Sequence, residues 1–127
     1  MERHTMKTTL LTVTALVLLG YSAPAWVHHS SAPFDQTTIT TISGVVRQFN
    51  WMNPHSSFKV EVTGADGATV TWAIEMNSPN NLIREGWKRT TLRPGDQVSV
   101  KLNPLRDGRP GGWYLSIDLP DGRHLGK

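Results

Sequence analysis

Cysteine is absent from the 127-residue chain, and its absence excludes several classes of protein. The chain cannot contain a disulfide framework, a cysteine-based zinc site or a lipid attached to a lipobox cysteine. A domain without these supports has to be held together by its own apolar core, to which the five tryptophans contribute large buried areas. A cysteine-free chain also suits an oxidising compartment outside the cytoplasm.

The sequence also lacks an apolar run long enough to span a bilayer, which takes about 20 residues. Its longest apolar stretch, at residues 10–19, follows two basic residues and precedes an A-x-A motif at residues 23–25. Together these are the parts of a secretory signal peptide. We therefore predict Sec-type export, with cleavage after Ala25, to give a periplasmic or secreted protein that begins at Trp26.

Charge of one sign is not concentrated anywhere in the sequence. The net charge of +3 comes from 13 basic and 10 acidic residues that are spread along the chain, whereas a nucleic-acid-binding surface is usually densely basic. Motifs for nucleotide binding and for nucleophilic or zinc-dependent hydrolysis are missing as well. We accordingly expect a non-catalytic protein that binds no nucleic acid and that has no membrane span after signal cleavage.

What the mature sequence does contain is a series of short strand patterns separated by turn residues. The patterns predict strands at residues 39–51, 57–63, 69–76, 97–102 and 113–119. One helix is predicted at residues 78–86, because Ser78 suits an N-cap, Pro79 the first helical position and Gly86 the end of a helix. Gly44, inside the long first strand, predicts a bulge or a sharp bend.

The resulting order, β-β-β-α-β-β, predicts an all-β fold with one short helix. It is typical of a five-stranded Greek-key barrel of the oligonucleotide/oligosaccharide-binding (OB) type, whose helix lies between the third and fourth strands. An immunoglobulin-like sandwich is the alternative, but it needs about seven strands and no helix. We divide the chain into a signal peptide at residues 1–25, an extended N-terminal arm at 26–38 and a single barrel domain at 39–127.

Alternation along the strands predicts which side chains fill the barrel. The last strand would turn Trp113, Leu115 and Ile117 inward. Leu82 and Ile83, from the helix, would close one end of the barrel.

Several short motifs give the mature sequence a recognisable signature. They are His-His-Ser at residues 28–30, Phe-Asp at 34–35, Gly-Val-Val at 44–46, Trp-Met-Asn-Pro-His at 51–55, Trp72, Ser-Pro-Asn at 78–80 and Arg-Pro-Gly-Asp at 93–96. With these motifs the sequence resembles a family of small exported bacterial proteins whose function is uncharacterised. The resemblance covers nearly all of the mature chain, and it implies export and a small β-barrel but no activity. Family members more often place the His-His pair directly after the cleavage site, where this chain has Trp26 and Val27.

Cleavage after residue 25 would create a candidate metal site at the new N-terminus. The amine of Trp26, two backbone amide nitrogens and the imidazole of His28 can form the square of four nitrogens that suits Cu(II) or Ni(II). His29 would add an axial ligand, and His55 could complete a mixed histidine site. Binding should weaken as the pH falls, because the amides must lose their protons.

Two alternatives to that site stay open. Cleavage after Val27 would make His28 the first residue, and its amine and imidazole could then chelate copper. The histidines could also be ordinary polar residues at a mobile end left by signal cleavage.

The motif at residues 51–57 is the second candidate site. As a purely structural element it is a corner between the first two strands, with Trp51 in the core and Asn53 bonded to the turn. As a functional element it lies at an edge where such barrels bind their ligands. Trp51, Asn53 and His55 would then bind a small molecule, a glycan or a protein partner. The leading hypothesis is a periplasmic binder of a transition metal, with Cu(II) as the candidate ion, and the barrel-edge module is the alternative.

Overall fold

Six strands and one short helix follow one another in residues 33–126, the part of the chain described by the structure, a computed structural model. The strands are β1 (Thr40–Asn50), β2 (Ser57–Thr63), β3 (Thr69–Glu75), β4 (Gln97–Pro104), β5 (Gly111–Asp118) and β6 (His124–Gly126), and the helix is α1 (Pro79–Arg84). The predicted order is confirmed, and β6 is a short addition after it. The predicted signal peptide and residues 26–32 of the predicted arm lie outside the described residues.

The first five strands form a closed barrel. Antiparallel pairs join β3 to β2, β2 to β1, β1 to β4 and β4 to β5, and a parallel pairing of β3 with β5 closes the ring. β1 serves two neighbours because residues 40–45 pair with β4 and residues 45–50 pair with β2. The fold is thus the predicted five-stranded barrel with one short helix.

The bulge in β1 and the glycine inside this strand are two separate features. Against β2 the register shifts between Val46 and Gln48, which leaves Arg47 as the bulged residue. Gly44 is needed for a different reason, since a side chain at that position would collide with the backbone oxygen of Glu61. The glycine therefore marks a close approach of β1 to β2 and not the bulge itself.

The helix begins and ends where the sequence predicts. Ser78 is the extended N-cap residue, Pro79 takes the first position, and Gly86 follows the end with φ at 91°. Leu82 is completely buried against the barrel, whereas Ile83 is 58% exposed, so only one of the two side chains expected to close the barrel does so. No helix in residues 33–126 has the length and apolar character needed to cross a membrane.

The inward face of β5 differs from the prediction. Its register against β4 slips by one residue at Leu115, and such a slip reverses the alternation of side chains along a strand. Tyr114 and Ile117, three positions apart, are therefore both buried. Trp113 and Leu115 are only half-buried, so the expectation that they point inward is wrong. The slip makes the indole of Trp113 available on the outer side of the barrel.

Residues 33–38, the part of the predicted arm that the structure describes, are fastened to the barrel. Phe34 is buried and forms a β-bridge with Leu105. The amide of Asp35 donates to the carbonyl of Pro104 at 2.8 Å. The Asp35 carboxylate accepts hydrogen bonds from the hydroxyls of Thr37 and Thr38, each at 2.7 Å. These contacts hold the segment beside the β4–β5 connection. The boundaries drawn between arm and barrel stay predictions.

Candidate functional site

The β1–β2 connection, residues 51–56, is held against the end of β3. Ser56 is buried, its amide donates to the carbonyl of Asn77 at 3.0 Å, and its carbonyl accepts from Met76 at 2.9 Å. The bond between Asn53 and Pro54 is cis. Because Ser56 is fixed on the inside, its neighbour His55 is held at the surface next to β3.

Four side chains from separate parts of the chain meet there, and we call them the His55 cluster: Phe34, His55, Glu75 and Trp113. The Nδ1 atom of His55 lies 2.9 Å from Oε1 of Glu75. The imidazole also meets Trp113 edge to face, with 5.5 Å between the ring centroids. Phe34 packs on the same indole at 5.7 Å. The cluster joins the β1–β2 connection to the closing strands β3 and β5 and to the segment before β1.

His55 is well placed to act as a ligand. Its side chain is 47% exposed, so a partner can approach it from solvent. When the ring is neutral, a proton on Nδ1 can be donated to the Glu75 carboxylate, and Nε2 then offers its lone pair outward. A histidine oriented by a carboxylate in this way is the usual arrangement of metal-binding histidines. The same geometry also suits hydrogen bonding to an organic ligand.

The barrel surface beside the cluster is polar. Gln48 donates to the side-chain oxygen of Asn50 at 2.8 Å, and the Asn50 amide group donates to the Ser57 hydroxyl at 3.1 Å. Ser57 is paired with Glu75 across β2 and β3, so this row of polar groups leads to the His55 cluster. In OB-type barrels the face of the second and third strands and the loop between the first two strands are common binding surfaces.

An ion pair occupies the next part of this surface. Arg47 and Glu61 are 2.6 Å apart. The hydrogen bond from Arg47 lowers the pKa of the Glu61 carboxyl below its ordinary value. Their charges therefore compensate each other. Lys59, which is exposed, is the basic residue of β2.

The three residues predicted for the barrel-edge site have different environments. Trp51 is half-buried, packs on the ring of Phe49 at 5.9 Å and belongs to the margin of the core. Asn53 is exposed, and its side chain forms no hydrogen bond with any residue from 33 to 126. Only His55 belongs to the cluster.

Sequence reasoning missed the other three members of the cluster. Phe34 and Glu75 lie far from His55 in sequence, and only the folded chain brings them together. The Phe-Asp pair at residues 34–35 was the one available signal, because it was already part of the family signature. Trp113 was missed because the slip at Leu115 cannot be predicted from alternation.

Of the predicted metal ligands, His55 is the one that lies within the described residues. Trp26, His28 and His29 lie outside them. Within residues 33–126, no three His, Asp or Glu side chains come together as a metal site. His55 therefore needs further ligands from elsewhere. His124 has a similar carboxylate partner, with its Nδ1 2.6 Å from Asp118, but it lies on β6.

Solved structures with a similar fold include single-stranded DNA-binding proteins. The mitochondrial protein Rim1 from S. cerevisiae superimposes with a TM-score of 0.50 and 15% identity, covering 65% of this chain and 93% of that chain. A small single-stranded DNA-binding protein from Streptomyces coelicolor gives a TM-score of 0.48 and 20% identity, covering 68% and 94%. At such identities the likeness is one of fold. No curated protein matches the sequence.

These structures correct the expectation that the protein binds no nucleic acid. That expectation was drawn from the scattered charge of the sequence, yet the single-stranded DNA-binding protein Rim1 has a barrel of similar fold. Scattered charge is therefore too weak a reason to exclude this class of ligand.

The family can be assigned from the sequence itself. The profile of one family matches residues 15–114, which includes the described arm segment, β1 to β4 and the first part of β5. The match therefore contains all four members of the His55 cluster. The chain belongs to the Family of unknown function (DUF6152).

Proposed function

We propose that the protein is an exported, non-catalytic binder of a transition-metal ion, with Cu(II) as the leading candidate. The ligands would be His28 and His29 from the N-terminal arm together with His55 on the barrel. The observation that supports this most strongly is the packing of Phe34 on Trp113, directly beside His55.

The short segment between His29 and Phe34 supports a metal site that combines the arm histidines with His55. His29 stands five positions before Phe34, and five residues can span up to about 18 Å when extended. The rings of Phe34 and His55 have their centroids 5.7 and 5.5 Å from that of the same indole. Phe34 thus lies next to His55, and a tether of this length would allow His29 to reach Nε2. Anchoring of this kind raises the effective concentration of one ligand near another.

The ligand types favour copper. Imidazole suits copper, nickel and zinc, and among divalent ions of the first transition row the affinity of such nitrogen sites is highest for Cu(II). Cleavage after Ala25 would add the amine of Trp26. Because imidazoles bind metal only when deprotonated, affinity should decrease as the pH is lowered.

The test uses the protein as exported, with the new N-terminus established by intact mass. Cu(II) affinity would be measured in competition with a chelator of known affinity. We expect the His28→Ala and His55→Ala variants each to bind more weakly than the wild type. His124→Ala is the matched control, because His124 is 51% exposed and also pairs with a carboxylate. Equal affinity in the wild type and His55→Ala would reject the contribution of the barrel, and equal affinity in His28→Ala would reject that of the arm.

A single-stranded oligonucleotide is the second candidate ligand. The fold likeness to the single-stranded DNA-binding protein Rim1 favours it, as does the half-buried Trp113 beside His55, since aromatic side chains in such barrels can stack on bases. Titration with a fluorescent dT oligonucleotide at low and high salt tests this. Binding that weakens with salt and is lost in Lys59→Ala and Trp113→Leu would support it, and no binding at low salt would rule it out.

A further inference from the structure

A cleft of about 350 Å³ lies beside the His55 cluster. It is bounded by the start of β5, the end of α1 and the end of β6, and its lining residues are Asn77, Glu85, Trp113, Tyr114, Leu115 and Gly126. A cavity of that volume is at the small end of the range for ligand pockets. Trp113 belongs both to the cleft and to the His55 cluster, but the other lining residues have no part in the metal site proposed above.

The cleft combines an exposed carboxylate with apolar side chains. Among the lining residues that lie within 33–126, Glu85 is the one that carries a charge, and it forms no ion pair with any other residue of that range. The pKa of the Tyr114 phenol is raised by burial, and the negative charge of Glu85 raises it further. The half-buried side chains of Trp113 and Leu115 supply apolar walls.

The carboxylate of Glu85 and the apolar side chains of Trp113 and Leu115 together suit a ligand with a cationic group on an apolar stem. An ammonium or guanidinium group gains from a carboxylate and from the face of an indole. The side-chain oxygen of Asn77 accepts one hydrogen bond, from Asn81 at 3.3 Å, and an amide oxygen has a second acceptor position. Anions, in contrast, would be repelled by the charge of Glu85, and the lining residues within 33–126 include no base to compensate for it.

We propose that this cleft binds a small organic cation, an ammonium or guanidinium group carried on a short apolar stem. Such a group can come from a free amine or from a lysine side chain. Lys127 directly follows Gly126 in the sequence, so its own ammonium group is a potential competitor. The binding experiment therefore uses both the wild type and Lys127→Gln.

Phenethylamine is the probe, and 2-phenylethanol is its uncharged counterpart of similar shape. Binding would be followed by NMR, through the indole signals of Trp113. We expect phenethylamine to shift these signals in the wild type or in Lys127→Gln, and Glu85→Gln to weaken binding about tenfold or more, as expected when a hydrogen bond to a charged group is lost. Glu61→Gln, which removes a carboxylate paired with Arg47 on β1, is the control and should bind normally.

Three results would each overturn the proposal. They are equal affinity for 2-phenylethanol and phenethylamine, unchanged affinity in Glu85→Gln, and no binding to either the wild type or Lys127→Gln. None of them bears on the metal site, because Glu85 is not part of the His55 cluster.

Discussion

The Nδ1 atom of His55 and the Oε1 atom of Glu75 lie 2.9 Å apart, although the residues are separated by 20 positions in the sequence. The β1–β2 connection and the end of β3 bring them together. The carboxylate orients the exposed imidazole, and the imidazole lies beside Trp113, on which Phe34 of the N-terminal segment packs.

The first prediction concerns this pair. Glu75→Gln should lower Cu(II) affinity by about 10- to 100-fold, because the partners that orient a metal-binding histidine typically contribute that much. Stability should change little, since the side chains of His55 and Glu75 are 47% and 43% exposed. Chelator competition measures the affinity and urea unfolding the stability.

Asp118→Asn provides the control for that variant. It removes the carboxylate beside His124, which has a similar contact at 2.6 Å. Cu(II) affinity should be unaffected. An equal loss in both variants would mean that the change reflects overall charge and not the orientation of His55.

The second prediction concerns the anchor of the arm. Phe34→Ala should reduce the free energy of unfolding by about 3 kcal/mol, the low end for truncation of a buried phenylalanine, because Phe34 is only 9% exposed. It should also weaken Cu(II) binding, since the arm would lose its attachment beside Trp113. Urea unfolding and metal titration of the same sample check both effects.

Ile39→Ala is the comparison for Phe34→Ala. Ile39 lies just before β1 and is 65% exposed, and substitutions at exposed sites usually change stability by less than about 0.5 kcal/mol. If Phe34→Ala proved as mild as this control, Phe34 could not be holding the segment in place.

The third prediction concerns the loss of stability at acidic pH. Hydrogen bonds from Thr37 and Thr38 lower the pKa of Asp35 from its ordinary value of 3.8 to about 2. A carboxyl with a lowered pKa in the folded state stabilises the fold above its unfolded pKa, and that contribution is lost as the pH falls through the folded value. The stabilisation by Asp35 should therefore disappear between about pH 4 and pH 2.

Unfolding temperatures of the wild type and Asp35→Asn, measured from pH 6 to pH 2, test this. The wild type should have the higher unfolding temperature at pH 6, and the difference in unfolding temperature between the two proteins should become smaller as the pH falls to 2. Asp107 and Asp121, whose pKa values are also lowered, contribute to the acid response of both proteins and cancel in the comparison. A difference that is constant across the range would be inconsistent with the assigned role of Asp35.

The fourth prediction concerns alkali. Burial raises the pKa of Tyr114 above its ordinary value of 10.0, and its hydroxyl donates to the carbonyl of Leu125 at 2.9 Å. The chain has two tyrosines, and the other, Tyr21, falls within the predicted signal peptide. The folded mature protein should accordingly show no tyrosinate absorbance when titrated through pH 10, while the urea-unfolded protein should. A midpoint near the ordinary value in the folded protein would place Tyr114 in contact with water.

Much of the fold could be predicted because local signals agreed with the tertiary structure. The limits of the helix could be predicted because they depend on the backbone preferences of three residues within the segment, Ser78, Pro79 and Gly86. Which side chains of β5 point inward could not be predicted from the sequence, because the slip at Leu115 depends on how β5 pairs with β4. A one-residue slip leaves no trace in the alternation of a short strand.

The candidate site was predictable to a smaller extent. His55 could be selected because it is a histidine in a turn motif. Its partners Glu75 and Trp113 could not, because they depend on the parallel pairing that closes the barrel and places them side by side. Phe34 similarly reaches the site through its bridge with Leu105, a contact across about half of the chain.

The most direct test of the account locates the metal on the folded mature protein. Cu(II) broadens NMR signals from nuclei near it, so a substoichiometric amount added to isotopically labelled protein identifies the ligands. We predict that the signals of His55 and of the Trp113 indole broaden together with those of His28 and His29, while the signals of His124 stay sharp. Broadening of the arm histidines alone, with the signals of His55 and Trp113 unchanged, would contradict the account.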